Sequence, residues 1–195
     1  GPFCKVTPIT ASKLLMFSYI YLASQSPRRQ ELLKQIGISF EMLTAAPGED
    51  TESLEIPLAN EKARDYVERV TFAKSSVALA RWQNSGKPWA PILCADTTVS
   101  LPDNPAGEIL GKPKDPADAT RILNMLSGKV HEVLSAVVLV VDPKTTPLCL
   151  VQVSKVEFAH LTEAQITNYI QSGEPFGKAG AYGIQGLGGA FIPSI

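Results

Sequence analysis

The sequence predicts an α/β fold with a mixed sheet, in one domain with two lobes around a cleft. Apolar runs of strand length alternate with segments of helical periodicity along the chain. Two longer strand patterns, at 130–141 and 148–158, are separated by a short turn, which predicts an antiparallel ribbon and so a sheet of mixed direction. Of the 195 residues, 45% are hydrophobic and 19% are charged, so the chain can bury a core and its composition excludes global disorder.

Helix caps and apolar runs predict the order of the elements. Ser26 followed by Pro27 predicts an N-cap and a first helical position, and that helix ends at Gly37. The other helix signals are an amphipathic pattern over 59–82, an N-cap at Asp115 with a stop at Gly128, and a capping box at Thr162 with a stop at Gly173. Buried strands are predicted at 19–23 and 92–95, the second of which Asp96 interrupts, and the alternating pattern at 38–44 predicts a further strand.

Charge and residue counts exclude several classes of function. The net charge of −1 disfavours a general nucleic-acid binder, which needs a basic surplus. The three cysteines form no CxxC pair, so the sequence supports neither a zinc ribbon nor a disulfide framework, and the presence of only two histidines excludes a histidine-rich metal site. Scattered cysteines fit a reducing cytoplasm best. No wholly apolar stretch approaches the ~18 residues that a membrane-spanning helix needs.

A turn that joins the first strand to the first helix is a candidate phosphate site. Ser24 lies in this turn, and Arg28 and Arg29 lie in the first helical turn, where cations oppose the helix dipole. Free backbone N–H groups, a hydroxyl and two guanidinium groups together suit a phosphate. The alternative is that both arginines only cover the surface.

Two further polar positions follow apolar strands. Asp96 comes directly after a buried strand, where α/β proteins place ligand-binding residues, although an ordinary turn aspartate has the same pattern. Lys112 follows Gly111, and its ammonium can reach a phosphate, although a solvated lysine in a hairpin turn fits equally. In the acidic loop at 47–57 we expect Asp50, Glu52 and Glu55 to be a solvated charge run.

The C-terminal segment is rich in glycine but matches neither common nucleotide-binding loop. It contains no GxxxxGK[ST] pattern, and its glycines neither match GxGxxG nor follow a strand. Gln185 is an amide among glycines, and it offers the donor and the acceptor that a pyrimidine edge requires. The alternative is that Gln185 only braces the loop.

Seven ordered segments together resemble the Maf family of nucleoside triphosphate pyrophosphatases. They are LASQSPRR (22–29), PGE (47–49), residues 69–74, CADTTV (94–99), ILGKP (109–113), LSGKVHEV (126–133) and EPFGKAGAYGIQGLGGAFI (174–192). The resemblance covers residues 19–192 and implies a mixed elongated sheet flanked by helices, with two lobes around a central cleft, of the Maf and ITPase type. It also implies that residues 16–195 form one such domain, whose C-terminal end we expect to be incomplete, and that residues 1–15 are vector-derived or an upstream extension.

The same resemblance implies the roles of the site residues. Asp96 is implied as the acid/base residue, and Glu49 as a metal ligand with Asp96 close to the same ion. The implied triphosphate contacts are Ser24, Arg28, Arg29 and Lys112, with Lys74 as a further phosphate-facing cation. Thr97 and Gln185 match the branch that is specific for dTTP and UTP.

The implied activity is hydrolysis of dTTP and UTP to the monophosphate and pyrophosphate, with a role in sanitising the nucleotide pool, including modified pyrimidine nucleotides. The resemblance further implies a Mg²⁺ or Mn²⁺ cofactor, a homodimer, a cytoplasmic location, and neither nucleic acid nor membrane as partner. The alternative is a non-enzymatic nucleotide-binding regulator of septum formation and cell division. The sequence favours the enzyme, because a pure binding module does not need Asp96 and Glu49 beside a cationic clamp.

Overall fold

The structure is a computed structural model that describes residues 16–104, 109–183 and 186–193. The helices in this part of the chain are α1 (Pro27–Gln35), α2 (Ala63–Gln83), α3 (Pro116–Leu126) and α4 (Glu163–Gln171). The strands are β1 (Ile20–Leu22), β2 (Phe40–Met42), β3 (Ile92–Ser100), β4 (Ile109–Leu110), β5 (Val130–Val140) and β6 (Leu148–Glu157). Their order is β2-β1-β3-β5-β6, with β4 also paired to β3. The β1–β2 and β1–β3 pairs are parallel and the β3–β4 pair is antiparallel, so the predicted mixed α/β fold is confirmed.

The chain divides into two compact units, which matches the predicted two lobes; the cleft stays a prediction. Within the described residues, the first unit comprises the chain up to Ile56, Asp65–Asp96 and Ala136–Val151. In it, β1 pairs with β3 so that Tyr21 lies opposite Ile92. Tyr21 and Ile92 are fully buried in an apolar cluster with residues of α2, and the Tyr21 hydroxyl donates to the Pro88 carbonyl at 2.6 Å.

The second unit comprises Pro57–Arg64, Thr97–Ser135 and the described chain from Gln152 onward. Its core is formed by the buried face of α3, with Ile122 and Leu123, and by Phe158 and Tyr182. Gly180 has a φ of +70°, and a Cβ at this position would lie 2.7 Å from the side chain of Val99. Only glycine satisfies both the left-handed backbone and this close approach.

Three of the four predicted helix starts are confirmed, whereas α2 begins at Ala63, four residues later than the pattern over 59–82 predicted. The Ser26 hydroxyl accepts from the backbone N–H of Arg29, and the Asp115 carboxylate accepts from that of Asp118. Thr162 and Gln165 form the predicted capping box. One strand end was predicted wrongly: β3 does not end at Asp96 but continues to Ser100, because its last three residues are buried and pack as strand residues.

No helix in the described part of the chain is long and apolar enough to span a membrane.

Candidate active site

The turn between β1 and α1 is organised by hydroxyl groups, as the sequence predicts. Ser26 is the N-cap of α1 and Pro27 occupies its first turn. The Ser24 hydroxyl accepts from the Ser26 N–H at 3.2 Å and from Nη1 of Arg29 at 2.9 Å. Arg29 is therefore folded back onto the turn, whereas Arg28 is exposed. The N-terminus of α1 and two arginines thus lie together, an arrangement of positive charge that suits an anion, although hydroxyl groups of the turn already accept from the Ser26 and Arg29 N–H groups.

Arg29 belongs to a larger charged cluster in the first unit. Burial lowers the pKa of Arg29, while the negative charge of Asp96, together with that of Glu55, opposes this effect. The guanidinium stays charged, because the intrinsic pKa of arginine is very high. Burial raises the pKa of the Cys94 thiol to about 12, so this side chain, two residues before Asp96, is uncharged and unreactive.

Asp96 and Lys74 form an ion pair at the centre of this cluster. Nζ of Lys74 lies 3.2 Å from Oδ2 of Asp96, and the side chains are only 25% and 16% exposed, so solvent screens the pair less than a surface salt bridge. Burial would lower the pKa of Lys74, but the carboxylates of Asp96 and Glu55 outweigh it and the net shift is upward. The structure therefore places a charged ammonium against the predicted acid/base residue.

Glu55 was predicted to be solvated, and this prediction is wrong. Its Oε1 accepts from Nζ of Lys74 at 2.7 Å, and its side chain is 18% exposed. A short 3₁₀ turn at Glu52–Glu55 is tied to α2, because the Tyr66 hydroxyl donates to the Glu55 carbonyl at 3.0 Å and Arg69 donates to the Ile56 carbonyl at 2.9 Å. Glu55 lies in none of the sequence motifs. The only indication that it would be paired was Lys74, because a lysine that is buried on a helix needs an opposite charge nearby.

Glu49 is held by an arginine that the sequence analysis did not single out. Nη2 of Arg81 donates to Oε1 of Glu49 at 2.7 Å, and the Ala46 N–H donates to Oε2 at 3.0 Å. The hydrogen bond from Arg81, followed by that from Ala46, lowers the pKa of Glu49. Arg81 also donates to the Leu43 carbonyl at 2.9 Å, so one guanidinium fastens both ends of the 43–49 loop to α2.

The carboxylates fit a divalent cation only in part. Oxygen ligands are what Mg²⁺ prefers, and Mg²⁺ is usually held by one or two carboxylates together with substrate phosphates. Asp96 suits this role although its Oδ2 also accepts from Lys74, whereas both oxygens of Glu49 are engaged, by Arg81 and by Ala46. Among the described residues, no group of three or more acidic, histidine or cysteine side chains is placed to hold an ion. A preformed all-protein metal cage is therefore not present in that part of the chain.

The remaining predicted residues lie in the second unit or outside the described chain. The Thr97 hydroxyl lies 3.1 Å from the Ser135 hydroxyl, which anchors it beside the neighbouring strand. Lys112 is exposed just after β4. Gln185 lies outside the described residues. The structure thus brings Ser24, Arg29, Lys74 and Asp96 into one charged cluster of the first unit and adds Glu55 to it.

This cluster has a clear chemical capacity. A partly buried carboxylate can accept a proton from water, and the cations around it can hold an anion and stabilise negative charge that develops on it.

Comparisons with known proteins match the chain along most of its length. Residues 19–195 match the family model described as Maf-like protein. A dTTP/UTP pyrophosphatase of Ralstonia nicotianae is 55% identical over 177 residues, which cover 91% of this chain and 83% of that protein. A dTTP/UTP pyrophosphatase of Burkholderia orbicola is 51% identical over 181 residues, which cover 92% and 84%. Among solved structures, that of the Staphylococcus aureus Ham1 protein is similar over 72% of both chains, with 16% identity and a TM-score of 0.48.

Proposed function

The chain belongs to the Maf family, and from this membership we propose that it hydrolyses dTTP and UTP to the nucleoside monophosphate and pyrophosphate. The observation that carries the proposal is the pair of Asp96 and Lys74, which joins a base for water to a cation for phosphate. The alternative, a non-enzymatic regulator of septum formation, is not favoured, because relatives with 55% and 51% sequence identity are named as enzymes.

In the proposed mechanism, Asp96 accepts the proton of a water molecule that attacks the α-phosphorus. The bond from the α-phosphorus to the bridging oxygen breaks, and pyrophosphate leaves with that oxygen. Lys74 and Arg29 carry positive charge to the phosphates, and Ser24 orients Arg29 through its 2.9 Å hydrogen bond. We assign Arg28 and Lys112, both exposed, to the outer phosphates, where they stabilise the leaving group.

We propose Mg²⁺ or Mn²⁺ as the cofactor. Asp96 would hold the ion together with phosphate oxygens of the substrate, and Glu49 would join it only by exchanging its hydrogen bond with Arg81. When bound, such an ion neutralises phosphate charge and lowers the pKa of a coordinated water.

Thr97 and Gln185 are proposed to select the base. Thymine and uracil present an N3–H donor between two carbonyl acceptors, and a neutral amide can answer both kinds of group, whereas cytosine presents an acceptor at N3. A buried polar group without a partner costs roughly 1–3 kcal/mol, which corresponds to about tenfold to a hundredfold discrimination. We expect Gln185→Glu to lower kcat/KM for UTP more than for CTP. An equal loss for both would assign Gln185 to the loop structure instead.

We further propose that the protein acts as a homodimer in the cytoplasm and removes unwanted pyrimidine triphosphates, including modified ones, from the nucleotide pool. The resemblance to the family supports these proposals. Sedimentation analysis tests the dimer, and rates with base-modified dTTP and UTP test the range of substrates.

The test of the activity is a panel of nucleoside triphosphates, incubated with the purified protein and Mg²⁺ or Mn²⁺, with released pyrophosphate as the readout. Faster release from dTTP and UTP than from CTP and the purine triphosphates is expected. Nucleotide binding without pyrophosphate release across the whole panel would favour the regulator.

A further inference from the structure

Two carboxylates share the ammonium group of Lys74, and the closer one lies outside every segment that carries the family resemblance. Nζ of Lys74 is 2.7 Å from Oε1 of Glu55 and 3.2 Å from Oδ2 of Asp96. A lysine ammonium has three N–H donors in a tetrahedral arrangement. Once two of them are committed to fixed carboxylates, the direction of the third is determined. No residue in the described part of the chain accepts from this third donor.

The position of Glu55 is itself held by the helix that carries Lys74. Tyr66 and Arg69, both on α2, donate to the carbonyls of Glu55 and Ile56. Tyr66 is buried, so its hydroxyl is a fixed point rather than a mobile surface group. Contacts with one helix, α2, therefore fix the distance between Glu55 and Lys74. A residue that positions another group needs such rigid support.

A second lysine–glutamate pair in the first unit has a similar N–O distance but is neither buried nor anchored by α2. Nζ of Lys87 lies 2.6 Å from Oε1 of Glu41, but these side chains are 40% and 50% exposed. Distance alone therefore does not distinguish the two pairs; burial and the anchoring by α2 do. An exposed pair of this kind contributes little.

We propose that Glu55 is a positioning residue, which holds the ammonium of Lys74 so that its third N–H donor is available to a phosphate of the substrate. The inference rests on the proposed function. Glu55 also divides the positive charge of Lys74 between two carboxylates. When Glu55 is removed, Lys74 pairs with Asp96 alone, which draws the ammonium toward the base and away from the phosphate.

The first test compares Glu55→Ala and Glu55→Gln with Glu41→Ala as the matched control, using kcat and KM for dTTP and UTP. Misplacing a group that positions the reaction costs up to about a hundredfold, so we expect Glu55→Ala to lower kcat/KM by about tenfold to a hundredfold. Glu55→Gln keeps an oxygen acceptor for Lys74, so its kcat/KM should fall less than that of Glu55→Ala. Glu41→Ala should leave both constants unchanged.

The second test asks whether Glu55 acts through Lys74. In a Lys74→Met background, Glu55→Ala should cause no further loss, because the group that Glu55 positions is gone. An equal loss from Glu55→Ala in the wild-type and Lys74→Met backgrounds would overturn the proposal, as would full activity of Glu55→Ala. Urea unfolding of each variant checks the fold, and Glu55→Gln replaces Glu55→Ala in the cycle if the alanine variant does not fold.

The same cycle, measured by calorimetric binding of inorganic pyrophosphate, separates this inference from the proposed function. Non-additive losses of affinity are expected. If they are found while dTTP and UTP are not hydrolysed, the proposed function fails and the role of Glu55 stands. If hydrolysis occurs but the binding losses add, the role of Glu55 fails. Absence of pyrophosphate binding to the wild type would also overturn it, since Lys74 would then not bind phosphate.

Discussion

The proposed mechanism assigns the role of base to one residue, Asp96, and surrounds it with cations that bind phosphate. We predict that Asp96→Asn lowers kcat for dTTP by about a hundredfold or more, the usual scale for loss of an acid/base group, while nucleotide still binds. Asparagine has nearly the same shape but cannot accept the proton. Steady-state kinetics and a binding titration check this together, and a rate near that of the wild type would remove Asp96 from the mechanism.

The two neighbouring arginines should differ when each is replaced. Arg28 is exposed, so Arg28→Ala should weaken binding of a triphosphate by about tenfold while binding of the nucleoside barely changes, because a charged hydrogen bond to phosphate is lost. Arg29→Ala should also lower the free energy of unfolding, since its side chain is bonded to Ser24. Binding titration and urea unfolding separate the two effects. An equal loss of affinity for the nucleoside and the triphosphate in Arg28→Ala would contradict the assignment of Arg28 to the phosphates.

At the scale of elements, the 43–49 loop depends on α2. Arg81 joins Leu43 and Glu49 to this helix, and Glu49 in turn accepts from the Ala46 N–H. We predict that Arg81→Met speeds hydrogen exchange of the Ala46 amide by about fivefold or more, the scale of one lost hydrogen bond. Arg121→Met, which removes an exposed pair with Asp118, is the control and should leave this amide unchanged. Unchanged exchange in Arg81→Met would show that the loop holds itself.

The start of α4 should depend on its capping box. Thr162 accepts from the N–H of Gln165 at 3.2 Å, and the Gln165 side chain accepts from the N–H of Thr162 at 2.9 Å. We predict that Thr162→Ala lowers the free energy of unfolding by about 1 kcal/mol. Thr120→Ala is a suitable comparison, because Thr120 is exposed and bonds only within α3. Equal losses in urea unfolding would assign no special role to the cap.

For the whole molecule, a buried histidine makes stability depend on pH. His131 is fully buried, and its Nε2 lies 2.6 Å from the Tyr182 hydroxyl. Burial lowers the pKa of His131 from 6.5 to about 4. The unfolded chain therefore binds a proton between these two pH values and the folded chain does not, so the free energy of unfolding falls as the pH falls through this window.

We predict that His131 accounts for about 3 kcal/mol of the stability lost between pH 6.5 and 4. His131→Phe keeps a ring in the core but cannot titrate, so its stability should change less over this window, although Tyr182 loses its partner at every pH. His160→Gln, at an exposed position, is the control. Urea unfolding at several pH values measures all three proteins, and parallel curves for His131→Phe and the wild type would refute the prediction.

Sequence by itself was sufficient where local chemistry decides the structure. The caps at Ser26, Asp115 and Thr162 are confirmed because a cap needs only residues three positions apart. The ordered motifs were enough to identify the family, since several specific segments at coherent spacing rarely occur together. The roles assigned to Thr97, Lys112 and Gln185 remain predictions.

Only the tertiary structure decided which charges meet. Glu55 and Lys74 are 19 positions apart and Glu49 and Arg81 are 32 apart, with no periodic pattern between them. An acidic residue in a loop looks the same in sequence whether it is solvated or paired, because its partner is chosen by how the loop packs on α2. The continuation of β3 beyond Asp96 was missed because the charged residue interrupts the apolar run. The β-branched Thr98 and Val99 favour a strand, but their burial depends on the elements packed around them.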